Sequence, residues 1–162
     1  MNEIEIRHTL QEDRQYLVKW LQEPGILRWF PMHDDREIDD AVNLWMGYIS
    51  QGAVFTALYK GVPCGMSILY LQQYKKIAHH ALFAIIVDKD YRQKGIGTCL
   101  IQEMIKRGKE QFHLEILHLE VYEGNPAILL YEKLGFVRYG NQKHFIKDQG
   151  TYLGKIFMQK NL

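Results

Sequence analysis

The stretch "HHALFAIIVDKDYRQKGIGTCLIQEMIKRGKE", His79 to Glu110, passes from a near-continuous apolar run through a short polar turn into an amphipathic segment. A run with no polar alternation reads as a strand buried on both faces, hence central in its sheet. The spacing after Gly95 predicts a helix to about Gln111, and "EILHLEVYE" follows as a further strand. Strand, helix and strand in that order form the crossover that joins parallel strands. The chain is therefore expected to be a mixed α/β domain.

The flanking segments extend this pattern. "EIEIRH" alternates as a first strand should. Thr9 precedes "LQEDRQYLVKWLQ", where Leu10, Tyr16, Leu17, Trp20 and Leu21 fall at helical spacing behind a Thr cap, and Pro24-Gly25 ends the helix. Asp34 or Asp35 can cap a second helix through "EIDDAVNLWMGYIS". "AVFTALY" and "CGMSILYLQ" flank Lys60-Gly61-Val62-Pro63 as a hairpin. "PAILLYEKL" reads as a short helix ending at Gly135, and "FVRYGNQKHFI" with "GTYLGKIFMQ" as a closing pair of strands. The expected order is β-α-α-β-β-β-α-β-α-β-β.

With 162 residues, 47% of them hydrophobic, the chain can fill the core of one domain over residues 1–162. Twenty basic and 19 acidic side chains leave a net charge of +1, without the basic excess expected of a nucleic-acid binder. Cys64 and Cys99 lie far apart and suggest neither a metal spacing nor a disulfide, and the histidines show no ligand spacing, so no metal is expected. The charged N-terminus lacks an apolar stretch of signal-peptide length, and nothing approaches the roughly 20 apolar residues of a membrane span. These features point to the cytoplasm and to no membrane partner.

The turn itself carries chemistry. Backbone N–H groups at a helix N-terminus lack intrahelical partners and carry the positive end of the helix dipole. Gly95 and Gly97 bring no Cβ to keep an anion from that backbone, and Arg92 and Lys94 add charge beside it. "RQKGIGT" is thus a candidate seat for a phosphate or pyrophosphate, or else a basic turn whose glycines relieve strain. It is neither a P-loop nor a full dinucleotide fingerprint.

Downstream, "LEVYEGNPAILLYEKLGF" joins a strand end, a polar turn and a short helix carrying Tyr131. Together with "RQKGIG", in this order and separation, it resembles the acyl-CoA signature of the GNAT superfamily of N-acetyltransferases. The element order matches that fold along essentially the whole chain. The resemblance implies a mixed central sheet of about seven strands, splayed in the middle, with about four helices. It also implies acetyl-CoA as co-substrate. Its pyrophosphate would sit on the amides of Gln93, Lys94, Gly95, Ile96, Gly97 and Thr98, near Arg92. Backbone groups of Ile85, Ile86 and Val87 would pair with the pantetheine arm as an added strand does.

The family also suggests roles for three side chains. Tyr131 stands where relatives place the phenol that protonates the leaving thiolate, or it packs beneath the coenzyme. Asn125 resembles an asparagine that holds the pantetheine or the tyrosine. The loop before Tyr131 is one residue short, however, so Gly124 could take that place and leave Asn125 to cap the helix. Glu120 matches the strand glutamate used as proton acceptor in the ribosomal-protein alanine N-acetyltransferase branch, or is an ordinary strand carboxylate. His79 and His80 open the preceding strand; adjacent strand residues face opposite ways, so at most one reaches the cleft.

The expected reaction is acetyl transfer to a primary amine of a small molecule or a protein N-terminus, by direct attack on the thioester. The alternative is a non-catalytic acyl-CoA sensor or interaction module. Asp34, Asp35, Glu37, Asp39 and Asp40 could attract a cationic acceptor or simply suit a helix start. Trp29, Phe30 and Met32 could wall its pocket or fill the core. The tail resembles the closing hairpin of the branch with spermidine and ribosomal-protein acetyltransferases, and a strand edge after Tyr152 could pair in a homodimer.

Overall fold

Seven strands, β1 (Ile4–His8), β2 (Val54–Tyr59), β3 (Val62–Leu71), β4 (His80–Val87), β5 (Ile116–Tyr122), β6 (Val137–Asp148) and β7 (Thr151–Asn161), are found among the described residues of the computed structural model, which are residues 2–162. Their order is β1-β2-β3-β4-β5-β7-β6. Four α-helices accompany them: α1 (Arg14–Leu21), α2 (Asp35–Gly47), α3 (Ile96–Glu110) and α4 (Ala127–Lys133). The element order is the one expected from the sequence. The chain divides into two units, one up to Tyr70 with Phe83–Arg107, the other Leu71–Leu82 with Gly108–Leu162.

In the first unit β1 runs antiparallel to β2, with Ile4 opposite Tyr59 and His8 opposite Phe55, and β2 runs antiparallel to β3. Lys60 and Gly61 both have positive φ, 50° and 81°, the conformation a two-residue hairpin turn requires. Val62 and Pro63, expected in the turn, therefore begin β3 opposite Tyr59 and Leu58, and the register shifts between Ala57 and Leu58. The apolar faces of α1 and α2 bury Leu17, Trp20, Leu21, Val42 and Met46 together with Val54, Met66, Ile68 and Ile86. Each such side chain contributes about 1.5–3 kcal/mol when removed from water.

The start of α1 departs from expectation. A 3₁₀ turn occupies Gln11–Asp13 and the α-helix begins at Arg14. Thr9 does not cap it; its hydroxyl is buried against the Thr56 hydroxyl at 2.8 Å. The Asp13 carboxylate instead accepts the Leu10 N–H at 2.9 Å and the Thr56 hydroxyl at 3.0 Å, and takes Arg7 in a two-pronged ion pair at 2.7 and 3.0 Å. Asp13 thus reaches back to the N–H of the residue that precedes the turn, and α1 itself starts without a side-chain cap. Asp34 does cap α2, accepting the Glu37 N–H at 2.9 Å.

In the second unit the parallel pairing of β4 with β5 sets His80 opposite Ile116 and Leu82 opposite His118. β5 pairs antiparallel with β7, and β7 with β6 through a two-residue turn whose Gln149 and Gly150 have φ of 48° and 79°. After Tyr152, β7 faces β6 on one side and, from Lys155 onward, β5 on the other. The outer edge at this end is therefore β6, which corrects the expectation of an edge there. Leu117, Leu119, Val121, Ile156 and Met158 point into the core with Ile128, Tyr131 and Phe136. Among the described residues no helix is long and apolar enough to cross a membrane.

Candidate active site

The strand-to-helix junction lies within the first unit, and Asp88 anchors it. This carboxylate is 5% exposed; one oxygen accepts the indole N–H of the buried Trp20 at 3.2 Å, the other the Asp90 N–H at 3.0 Å. Its backbone N–H bonds the Cys64 carbonyl on β3 at 2.9 Å, and its carbonyl accepts the Tyr91 N–H at 3.0 Å. β4 therefore ends in a fixed position, and the turn leaves it in a fixed direction. Burial, then the Asp88 charge, push the neighbouring Cys64 thiol up to about 11, so it stays a neutral core group.

The turn then runs Arg92, Gln93, Lys94, Gly95, all exposed, into α3. Gln93 and Gly95 are left-handed, with φ of 60° and 84°. The first helical bond joins the Cys99 N–H to the Gly95 carbonyl at 3.0 Å, so the N–H groups of Ile96, Gly97 and Thr98 precede the helical ladder. Lys94 holds its ammonium 5.4 Å from the centre of the Tyr59 ring, and the Arg92 side chain approaches the Val87 carbonyl at 3.4 Å. Donors without helical partners beside two exposed cations fit a pyrophosphate, which meets the requirement for holding coenzyme A. A cavity of about 390 Å³ opens beside the turn, lined by Tyr16, Lys19, Tyr59, Tyr91 and Lys94 among others.

Gly65, which the sequence did not single out, fixes how closely α3 approaches the sheet. A Cβ there would lie 3.0 Å from the Ile86 carbonyl oxygen and 3.2 Å from the side chains of both Ile96 and Leu100. Ile85 and Val87 are half-buried and Ile86 is buried on the strand this glycine faces. The acidic start of α2 is engaged locally: Asp34 in its cap, Glu37 with the His33 N–H, Asp39 with Arg14 at 2.6 Å and Asp40 with Arg36 at 3.9 Å. Phe30 and Met32 pack half-buried against the core, and Trp29 carries the Arg28 guanidinium 4.7 Å above its ring.

Tyr131, Asn125 and Glu120 belong to the second unit. Tyr131 is 7% exposed on α4, with the Phe136 ring edge-on at 6.2 Å. Burial pushes its phenol well above the ordinary tyrosine range, so it keeps its proton. The Asn125 side-chain oxygen accepts the Ala127 N–H at 2.9 Å, which is a capping contact at the start of α4. Gly124 before it has φ +81°, and Gly135, φ +91°, ends the helix. The Glu123 carboxylate ties this loop to the closing hairpin by accepting the Gly154 N–H at 3.1 Å and the Asn141 amide at 3.0 Å.

Glu120 stands on the face of β5 opposite its buried Leu117, Leu119 and Val121. It forms an ion pair with Lys155, whose side chain is only 13% exposed and whose ammonium lies 3.8 Å above the Phe145 ring. The adjacent Tyr122 is pushed up to about 12, first by burial and then by the Glu120 charge. Two residues before Glu120 on the same face, His118 meets His80 of β4, ring nitrogen to ring nitrogen at 3.0 Å. Lys155 and His118 escaped the sequence reading; the only signal was the two-residue spacing of His118 from Glu120.

The model of the acetyltransferase (GNAT) family matches residues 14–136. The L-amino acid N-acetyltransferase AaaT of Escherichia coli strain K12 is 30% identical over 105 residues, 64% of this chain and 65% of that protein. An N-alpha-acetyltransferase of Sulfurisphaera tokodaii is 44% identical over 72 residues, 43% of each chain. The matched stretches thus span less than two thirds of these relatives. The structure of yncA from Salmonella typhimurium with its cofactor acetyl-CoA has the same fold, with a TM-score of 0.83 at 19% identity over 99% of this chain and 95% of that one. With its fold, its strand-to-helix junction and the larger part of its length matching, this chain belongs to the acetyltransferase (GNAT) family.

Proposed function

We propose that this chain is an acetyl-CoA-dependent N-acetyltransferase whose acceptor is a primary amine, carried by a small molecule or by a peptide N-terminus. The observation that carries the reading is the junction pinned by Asp88, where the N–H groups of Ile96, Gly97 and Thr98 precede the helical ladder beside Arg92 and Lys94. Relatives named for an L-amino acid and for an N-alpha amine support an α-amine as the acceptor class. Both cysteines are free thiols, which supports a reducing compartment, the cytoplasm.

Acetyl-CoA supplies the acetyl group as a thioester. Residues Arg92 to Thr98 hold its phosphates, and backbone groups of Ile85, Ile86 and Val87 pair with its pantetheine arm. The Val87 region offers an N–H to polarise the carbonyl. Asn125 starts α4 with its carboxamide oxygen, which leaves its amide nitrogen as a donor for the pantetheine. Tyr131, kept protonated by burial, supplies the proton that ends on the sulfur; the same dry surroundings raise the proton affinity of a thiolate. Glu120 meets the incoming ammonium and is the first group to take its proton.

The test is a thermal-shift titration with acetyl-CoA, followed by thiol release with spermidine, kanamycin, lysine and peptides beginning with Ala, Ser or Met. Stabilisation with release on one amine class is expected. Gly97→Asp, which sets bulk and negative charge at the phosphate seat, should weaken coenzyme A binding at least tenfold. Stabilisation without release on any amine would support a sensor instead, and no stabilisation would overturn the placement of the site.

A further inference from the structure

We propose that the His80–His118 pair is a proton relay that drains Glu120 during the transfer, an inference that rests on the transferase reading above. The two imidazoles share one hydrogen bond, 3.0 Å long, between His80 Nδ1 and His118 Nε2, with ring centres 4.9 Å apart. Parallel register produces the meeting. His80 opposes Ile116, so His118 lies one step further along the same face of β5, and Glu120 one step beyond that.

Glu120 alone is a poor terminus for the proton. Its oxygen is engaged by the Lys155 ammonium and must release that partner to be protonated. Imidazole is a stronger base than a carboxylate, so a proton passes from the carboxylic acid to the imidazole. Two hydrogen-bonded imidazoles take one proton between them, while a second would place two cations in contact. The pair therefore accepts one proton per turnover and has a neutral form to return to. Burial, then the neighbouring His80, hold His118 below the ordinary imidazole range, with Glu120 acting in the opposite direction. The titratable groups next to the pair are His79, whose ring stands edge-on 5.2 Å from His80, and Glu120, two residues from His118 on β5, which in turn holds Lys155 of β7 in an ion pair.

The proton count closes. An ammonium that becomes an amide loses two protons. One passes through Glu120 to the imidazole pair and on to solvent. The other ends on the sulfur as the C–N bond forms and the C–S bond breaks, and Tyr131 returns to its protonated state. His118 and His80 touch no substrate in this scheme; they act through Glu120.

The test combines kinetics with titration. In the wild type, imidazole nitrogen NMR should show His80 and His118 sharing one protonation step, with the second displaced to lower pH. The acidic limb of kcat/KM should follow the shared step. His118→Gln should lower kcat/KM about 10²-fold at pH 7, a typical general-base contribution, and move that limb. Added imidazole should restore part of the rate, and acetyl-CoA stabilisation should be unchanged. Two independent imidazole titrations, or a His118→Gln rate within twofold of wild type over an unmoved pH profile, would overturn the relay and leave the transferase intact. A wild type that releases no thiol with any amine would overturn both.

Discussion

Replacing Asp88 by alanine tests whether the turn is held from the protein interior. Trp20 is 1% exposed and its indole N–H has the Asp88 oxygen as acceptor, so Asp88→Ala leaves a buried donor unpaired. That loss costs about 1–3 kcal/mol. Removing the acceptor of the Asp90 N–H costs about 1 kcal/mol more, as for a lost cap. The expected total is about 3 kcal/mol, which in a chain of this length lowers Tm by about 6–12 °C. Urea unfolding of the wild type, Asp88→Ala, Trp20→Phe and the double variant gives the coupling between the two side chains. The double variant should cost about 1–2 kcal/mol less than the sum, because once the indole is gone no donor is stranded. Coenzyme A affinity should fall along with stability, since the same carboxylate sets the start of the Lys89–Tyr91 turn. Costs that add to within about 0.5 kcal/mol, or an unaltered coenzyme A affinity in folded Asp88→Ala, would refute the reasoning.

Gly65→Ala should destabilise by about 1–3 kcal/mol through overpacking, because its Cβ would press on the Ile86 carbonyl and on Ile96 and Leu100, and it should weaken acetyl-CoA binding; urea unfolding and calorimetric titration read the two effects. For Asp13 burial raises the pKa, but the bonds from Arg7, the Leu10 N–H and Thr56 outweigh it, so the net shift is downward. A depressed folded pKa stabilises above the unfolded value of about 3.9 and loses that contribution as pH falls through the folded one. The stability gap between wild type and Asp13→Asn should therefore be widest at neutral pH and shrink below about pH 4; a constant gap in urea unfolding from pH 7 to pH 3 would contradict this. Tyr131→Phe should keep acetyl-CoA binding and lower kcat by about 10²-fold, read by thiol release under saturating substrates.

Most of the elements were legible from local pattern. The Lys60-Gly61 turn and the start of α1 are not, because both depend on side chains and backbone angles that composition does not specify. Pro63 looked like a turn residue, yet positive φ at Lys60 and Gly61 completes the reversal and leaves it to β3. Thr9 looked like a cap, yet Thr56, 47 positions along the chain, claims its hydroxyl.

What the sequence determined by itself is what lies within one stretch of chain. The crossover follows from the apolar run of β4 and the helical spacing of α3, the exposed basic turn between them from Arg92, Lys94, Gly95 and Gly97, and the short helix with Tyr131 from "NPAILLYEKLG". Tertiary structure alone decided which distant side chains meet. His80 and His118 are 38 positions apart and touch because parallel register aligns them, while Trp20 reaches Asp88 across 68. Lys155 reaches Glu120 because β7 returns antiparallel beside β5. Local periodicity fixes the face on which a residue stands; the pairing partner of that face is set only when the sheet closes its register.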